Sequence, residues 1–296
     1  MILGLLASLT HPHSQTSENV ELLPHIRWCL TGPFAFLPIH AAGIHGLGNS
    51  ECIFDYAVSS YTPTISTLLR TTPSVPRSFK MLVVIQSQSL KYTKDELQKI
   101  EDRVPDECLV KLGVSGSPAS VEAVMSSLRD VSIAHFACHG VQDEANPLDS
   151  ALILEDGRLK VSRIMEQSIS GASLAFLSAC QTAKGDGRLP DEAMHLAGTL
   201  LFAGFRGVVG TMWWVNRPCF TGHPLIVCRS IYDKDGPKVA DTFYENLFPR
   251  KNSSSDLQHA HPDTTEAARA LHVSVAKLRE EGVSFGRWVP FIHLGI

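Results

Sequence analysis

Two stretches of this 296-residue chain, Ile133-Ala134-His135-Phe136-Ala137-Cys138-His139-Gly140 and Leu174-Ala175-Phe176-Leu177-Ser178-Ala179-Cys180, are short and almost continuously apolar. A strand with one wet face alternates apolar and polar residues; a run without that alternation predicts a strand covered on both faces, as in a parallel sheet. Each run also ends in a reactive side chain, His139 in the first and Cys180 in the second. Met81-Leu82-Val83-Val84-Ile85 has the same buried character, and Val208 to Trp213 reads as a last core strand.

Helical patterns lie between these runs. Lys91 to Arg103 reads as an exposed, charged helix, followed by a short strand over 109–112. Ser117-Pro118 opens a helix whose apolar residues Val121, Val124, Met125 and Leu128 share one face. Residues 151–161 predict a hairpin turning at Asp156-Gly157, and Ser162 would cap a short helix to about Gln167. Pro190, with Asp191 and Glu192 in the first turn, starts a helix running to about Phe202, which Gly204 ends. Helices over 238–248 and 265–280 flank a polar loop over 250–264. Upstream, residues 27–44 read as a hairpin, 54–61 as a strand and 63–70 as a turn leading into a short helix. Residues 1–21 form an N-terminal extension, a truncated helix followed by a loop, and 22–296 a single domain. Strands alternating with helices predict an α/β fold, a mostly parallel sheet with helices on both faces.

The composition narrows the function. With 44% hydrophobic and 19% charged residues the chain is that of a globular domain, large enough to hold a core without metal or disulfides. A net charge of −4 argues against a nucleic-acid partner or a polybasic membrane anchor. No apolar run is long enough to span a bilayer. Seven cysteines at irregular spacing, with no CxxC pair, make neither a disulfide nor a zinc framework and fit a reducing, intracellular, cytoplasmic setting. No metal and no cofactor are expected.

In an open α/β sheet the loops that bind ligands leave the carboxyl ends of the strands. If the two quoted strands are parallel neighbours, His139 and Cys180 emerge from one edge, as a thiol nucleophile and its proton carrier must. Thiol and imidazole both change protonation state near neutral pH. The backbone N–H groups of Gly140 and Cys180 are candidate donors to an oxyanion, and a residue without a side chain at 140 lets a substrate approach. His135 and Cys138, inside the strand, read as core residues.

The wording around these residues resembles the CHAT family, a branch of the caspase and separase group of cysteine peptidases. Phe136-Ala137-Cys138-His139-Gly140 and Leu177-Ser178-Ala179-Cys180-Gln181-Thr182 are similar to its two signature blocks. Gly32-Pro33-Phe34, Leu37 to Gly43, Ser59 to Thr64, His195 to Gly198, Gly210 to Trp213 and Trp288 to Gly295 resemble further blocks in the same order, with wording nearest that of fungal members. The resemblance implies a caspase-like α/β/α sandwich and cysteine endopeptidase activity on protein substrates through a His139–Cys180 dyad. It also implies control by a regulatory partner or by helical repeats upstream; a catalytically silent signalling or interaction module is the alternative. Gln181 stands where family members often carry Glu. Residues 214–230 form an atypical insert whose length would suit a retained intron. Asp143, Asp149 and Asp186 lie in the loops after the two catalytic strands, where an acidic pocket for an Arg or Lys side chain could form.

Overall fold

The computed structural model describes residues 23–45, 50–69, 78–141, 143, 146–167, 169, 171–178, 195–212, 234–248 and 262–296. The strands are β1 (His25–Trp28), β2 (Gly43–His45), β3 (Ser50–Cys52), β4 (Val58–Tyr61), β5 (Met81–Ile85), β6 (Leu109–Leu112), β7 (Ile133–Ala137), β8 (Gly140–Val141), β9 (Ala151–Ile153), β10 (Arg158–Lys160), β11 (Leu174–Leu177), β12 (Gly207–Thr211) and β13 (Phe291–Gly295). The helices are α1 (Ile65–Leu68), α2 (Thr93–Glu101), α3 (Val121–Ser127), α4 (Val161–Met165), α5 (His195–Ala203), α6 (Asp235–Leu247), α7 (Ala267–Glu280) and α8 (Phe285–Trp288).

Eight strands form the central sheet in the order β1-β4-β13-β12-β11-β7-β5-β6. Every neighbouring pair is parallel except β12–β13. Because successive side chains on a strand point to opposite faces, each buried run feeds two cores. Leu82, Val84, Ala134, Phe136, Ala175 and Leu177 pack on one face against Val124 and Met125 of α3, Val161 and Ile164 of α4, and Leu196 and Leu200 of α5. Met81, Val83, Ile133, Leu174 and Phe176 pack on the other against Leu97 and Ile100 of α2, Phe243 and Tyr244 of α6, and Leu271 and Val275 of α7. The result is a three-layer α/β/α sandwich around a mostly parallel sheet, the class that the apolar runs predict.

Several elements depart from the sequence reading. Residues 27–44 do not make a hairpin. β1 pairs in parallel with β4, and the chain then turns through 3-10 segments at Gly32–Phe36 and Ile39–Ala41. Gly32 has φ +58°, and Pro33 and Pro38 have no N–H to give a ladder, so this stretch cannot pair as a strand. The hairpin lies further on, between β2 and β3. Of the strand expected over 54–61, only Val58–Tyr61 pairs, after a 3-10 turn at Ile53–Asp55. α4 begins at Val161 with Lys160 at its N-cap, so Ser162 lies inside the helix rather than capping it. α2 is not exposed all round: Thr93, Glu96, Leu97 and Ile100 are buried. The expectations for residues 1–21 and 214–230 lie outside the described residues.

The strands that the sequence pattern misses, β1 and β13, carry polar residues that bond a shared hydroxyl. His25 Nε2 lies 2.7 Å from Ser60 Oγ, which lies 2.8 Å from His293 Nδ1, so one hydroxyl joins β1, β4 and β13. His40 is similarly placed. Its Nε2–H donates to the Val289 carbonyl at 3.0 Å, leaving Nδ1 to accept the Tyr61 O–H at 2.6 Å. Burial holds His40 down at about 4 and His272 and His293 down at about 3.

These three rings are therefore neutral in the native state, whereas in the unfolded chain they titrate near 6.5. Below that pH the unfolded chain takes up protons that the native state refuses, so stability falls as pH drops from about 6.5 towards 4. Each histidine contributes about 1.4 kcal/mol per pH unit in that window. Urea unfolding at pH 7 and pH 5 should show a loss of several kcal/mol, and a flat profile would show that these rings are not held neutral.

Candidate active site

The site is set by the order in which the chain visits the sheet. From β5 the chain moves outward to β6, then crosses back to place β7 on the other side of β5 and continues through β11 to β12. The direction of winding thus reverses between β5 and β7, and such a reversal opens a crevice at the carboxyl ends of the two strands. Gln86 follows β5 and His139 follows β7, so both lie at this crevice. The two loops are tied together: Gln86 N–H donates to the Ala137 carbonyl at 3.0 Å, and His139 N–H donates to Gln86 Oε1 at 3.2 Å.

His139 is half-buried. Its carbonyl accepts the Ile153 N–H at 2.8 Å, which fixes the pairing of the next residues. In an antiparallel pair, hydrogen-bonded and non-hydrogen-bonded positions alternate. With His139 bonded to Ile153, the Gly140–Leu152 position is the non-bonded kind, so the Gly140 N–H points away from β9. The small sheet β10-β9-β8 therefore holds the backbone after His139 without using that donor.

β11 runs beside β7 in parallel, with Leu174 opposite Ile133 and Leu177 opposite Phe136. The ladder continues one residue past the strand, where Ser178 N–H donates to the Phe136 carbonyl at 3.0 Å. The offset between the strands is 41 positions, the same number that separates His139 from Cys180 in the sequence. Cys180 itself lies outside the described residues, as do Gln181, Asp186, Cys219 and Cys228.

The other expected residues are placed as follows. Asp143 and Asp149 share one turn: Asp143 Oδ1 accepts the Asn146 N–H at 2.9 Å, and Asp149 accepts Asn146 Nδ2 at 2.7 Å and Lys160 Nζ at 2.6 Å. The Lys160 ammonium holds the Asp149 carboxyl below its ordinary range. Cys138 is buried in the core on the α3–α5 face. Among the described cysteines, burial pushes Cys52 up to about 12 and raises Cys108, which keeps both as thiols rather than nucleophilic thiolates. No group of three or more His, Cys, Asp and Glu among the described residues could hold a metal ion, and no helix among them is long and apolar enough to cross a membrane.

A polar cluster that the sequence reading passes over lies beneath this edge, on the α2–α6 face. His135 of β7 is fully buried, with Nδ1 2.9 Å from the Tyr244 hydroxyl and its ring stacked on Phe176. Its Nε2 sits 3.2 Å from Glu96 Oε1, but without the alignment a hydrogen bond requires. The Ser178 hydroxyl is buried nearby with no partner. A charged residue inside the helical pattern of α2, four residues before Ile100, is a weak signal, and sequence alone does not separate a buried Glu96 from its solvated neighbours.

The fold and site define a three-layer α/β domain with a histidine-bearing crevice at its switch point. The family model described as the CHAT domain matches residues 5–218, and the chain belongs to that family. No curated protein matches it. Among solved structures it is similar to separase in the Saccharomyces cerevisiae separase–securin complex, with 16% identity and a TM-score of 0.49 over 83% of this chain and 14% of separase. It is also similar to gingipain R, an Arg-specific cysteine proteinase, with 10% identity and a TM-score of 0.46 over 82% of this chain and 55% of that one. The chain thus spans a small part of separase and about half of gingipain R.

The Gln86 contact can be tested directly. Gln86→Ala removes the acceptor from the His139 N–H, and amide hydrogen exchange at His139 should accelerate about fivefold to tenfold, matching about 1 kcal/mol for the bond. Unchanged exchange would show that the side chain does not hold this loop.

Proposed function

We propose that the chain is a cysteine endopeptidase that cuts protein substrates through Cys180 and His139. The observation that supports this most strongly is the shared offset. Parallel strands β7 and β11 are paired 41 positions apart, the same separation that His139 and Cys180 have in the sequence, which supports their leaving a common edge of the sheet. Membership of the CHAT family, and the resemblance of both signature blocks to those of caspase-like peptidases, point the same way.

In this reading the Cys180 thiolate attacks the carbonyl carbon of the scissile peptide, and the oxygen takes up the negative charge. Donors for that oxyanion are the N–H of Gly140, directed away from β9, and the N–H of Cys180. His139 gives its proton to the departing amine, the carbonyl reforms and a thioester remains. A water molecule, deprotonated by His139, then attacks the thioester and releases the acid and the free thiol. Gln181 brings no charge beside the nucleophile, so thiolate formation would depend on His139. Asp186 and Asp143 remain candidates for binding a basic substrate side chain. Asp149, occupied by Lys160 and Asn146, is the weaker one. The cytoplasm, with a regulatory partner, is the proposed setting.

Cys180→Ala should lower peptide hydrolysis by about a thousandfold or more, because no other group replaces the nucleophile, and His139→Ala should do the same. A thiol-reactive peptide probe should label Cys180 in preference to the other six cysteines. Hydrolysis that survives Cys180→Ala would end this reading; a folded wild-type protein whose Cys180 refuses the probe would favour the non-catalytic interaction module.

A further inference from the structure

Glu96 Oε1, His135 Nε2 and Ser178 Oγ are three buried polar atoms, each without a hydrogen-bond partner, brought together from α2, β7 and the end of β11. Their residues are at most 2% exposed. Native interiors leave few such atoms orphaned, and where several cluster, an internal water is the usual solution. The fourth member is Gly236, in the first turn of α6. A Cβ there would lie 2.9 Å from Ser178 Oγ and 3.6 and 3.9 Å from the two Glu96 carboxylate oxygens. A side chain at 236 would therefore crowd the Ser178 hydroxyl and the Glu96 carboxylate from the α6 side.

The donors and acceptors match one water. If the Tyr244 hydroxyl donates to His135 Nδ1, the ring proton sits on Nε2. A water can then accept from Nε2–H and donate to Glu96 Oε1 and Ser178 Oγ, three bonds, the number usual for a buried water. We infer that Glu96, His135, Ser178 and Gly236 form a buried water-binding junction that clamps the carboxyl ends of β7 and β11. His135 lies four residues before His139 and Ser178 two before Cys180. Ser178 and His135 are thus positioning residues for the dyad. This role rests on the proposed peptidase reading, whereas the water site does not.

The test begins with a high-resolution crystal structure of the full chain. An ordered water within about 3.2 Å of all three atoms is expected; a direct Ser178–Glu96 hydrogen bond in its place overturns the site. Amide exchange supplies a measurement independent of catalysis. Ser178→Ala and Gly236→Ala should each accelerate exchange at residues 138–139 and 179–180 about tenfold while leaving β13 unchanged. Glu96→Gln, which keeps an acceptor oxygen, should resemble the wild type, and Glu96→Leu should not. If Gly236→Ala does not fold, Ser178→Ala decides, since it adds no atoms. Wild-type exchange in Ser178→Ala would overturn the clamp. For the dyad, Ser178→Ala should slow labelling of Cys180 by the peptide probe about tenfold, with probe affinity unchanged; an unaltered rate would overturn the positioning role. If the wild-type protein is not labelled at all, the peptidase reading fails, and the junction stands or falls on the water and the exchange data.

Discussion

The pairing of β7 with β11 is the constraint on which the centre of the sheet depends. Parallel strands cannot slide by one residue without turning every inward side chain outward. Both faces of this pair are buried, so Phe136 and Leu177 must face one core while His135 and Phe176 stack in the other. The hydrophobic pattern thereby fixes the register of the two strands as far as Ser178, whose N–H donates to the Phe136 carbonyl. β5 adds the third element, because the reversal of winding beside it opens the crevice into which Gln86 and His139 lead.

The far side of the sheet follows a different logic. There the chain reverses once, at the antiparallel β12–β13 pair, and β4 and β1 extend the sheet with polar residues inside it. His25 Nε2 and His293 Nδ1 both bond the Ser60 hydroxyl across three strands, while His293 Nε2 stays buried without a partner, and His40 is held between Tyr61 and the Val289 carbonyl. Such groups cost little when paired and much when left alone. They also make this half of the domain sensitive to acid.

The contrast explains what could be read from the sequence. β5, β7 and β11 are legible because their burial on both faces leaves a continuous apolar run, and the Asp156-Gly157 turn marks the β9–β10 hairpin by its backbone demands. β1 and β13 are not, since His25, Arg27 and His293 interrupt the pattern, and their pairing depends on partners more than 30 or 200 residues away. In the candidate site, the position of His139 and Gly140 just past the end of β7 is legible. Gln86 acts through a contact 53 positions distant in the sequence, and Glu96 is buried only because α2 packs against α6. Neither has a local signal. Asp143 and Asp149 are conspicuous as acids, but the turn that Asp143 holds with Asn146 and the Asp149–Lys160 pair have no local signal.

Disulfide trapping across the two strands tests the account most directly. Adjacent strands lie about 4.8 Å apart, inside the Cα separations of about 4.4–6.8 Å that a disulfide spans. In His139→Cys, mild oxidation should join residues 139 and 180, detected as one linked peptide pair by mass spectrometry. Failure to form that link in the folded variant, or a link from position 139 to some other cysteine instead, would contradict the placement of the two groups at a common edge.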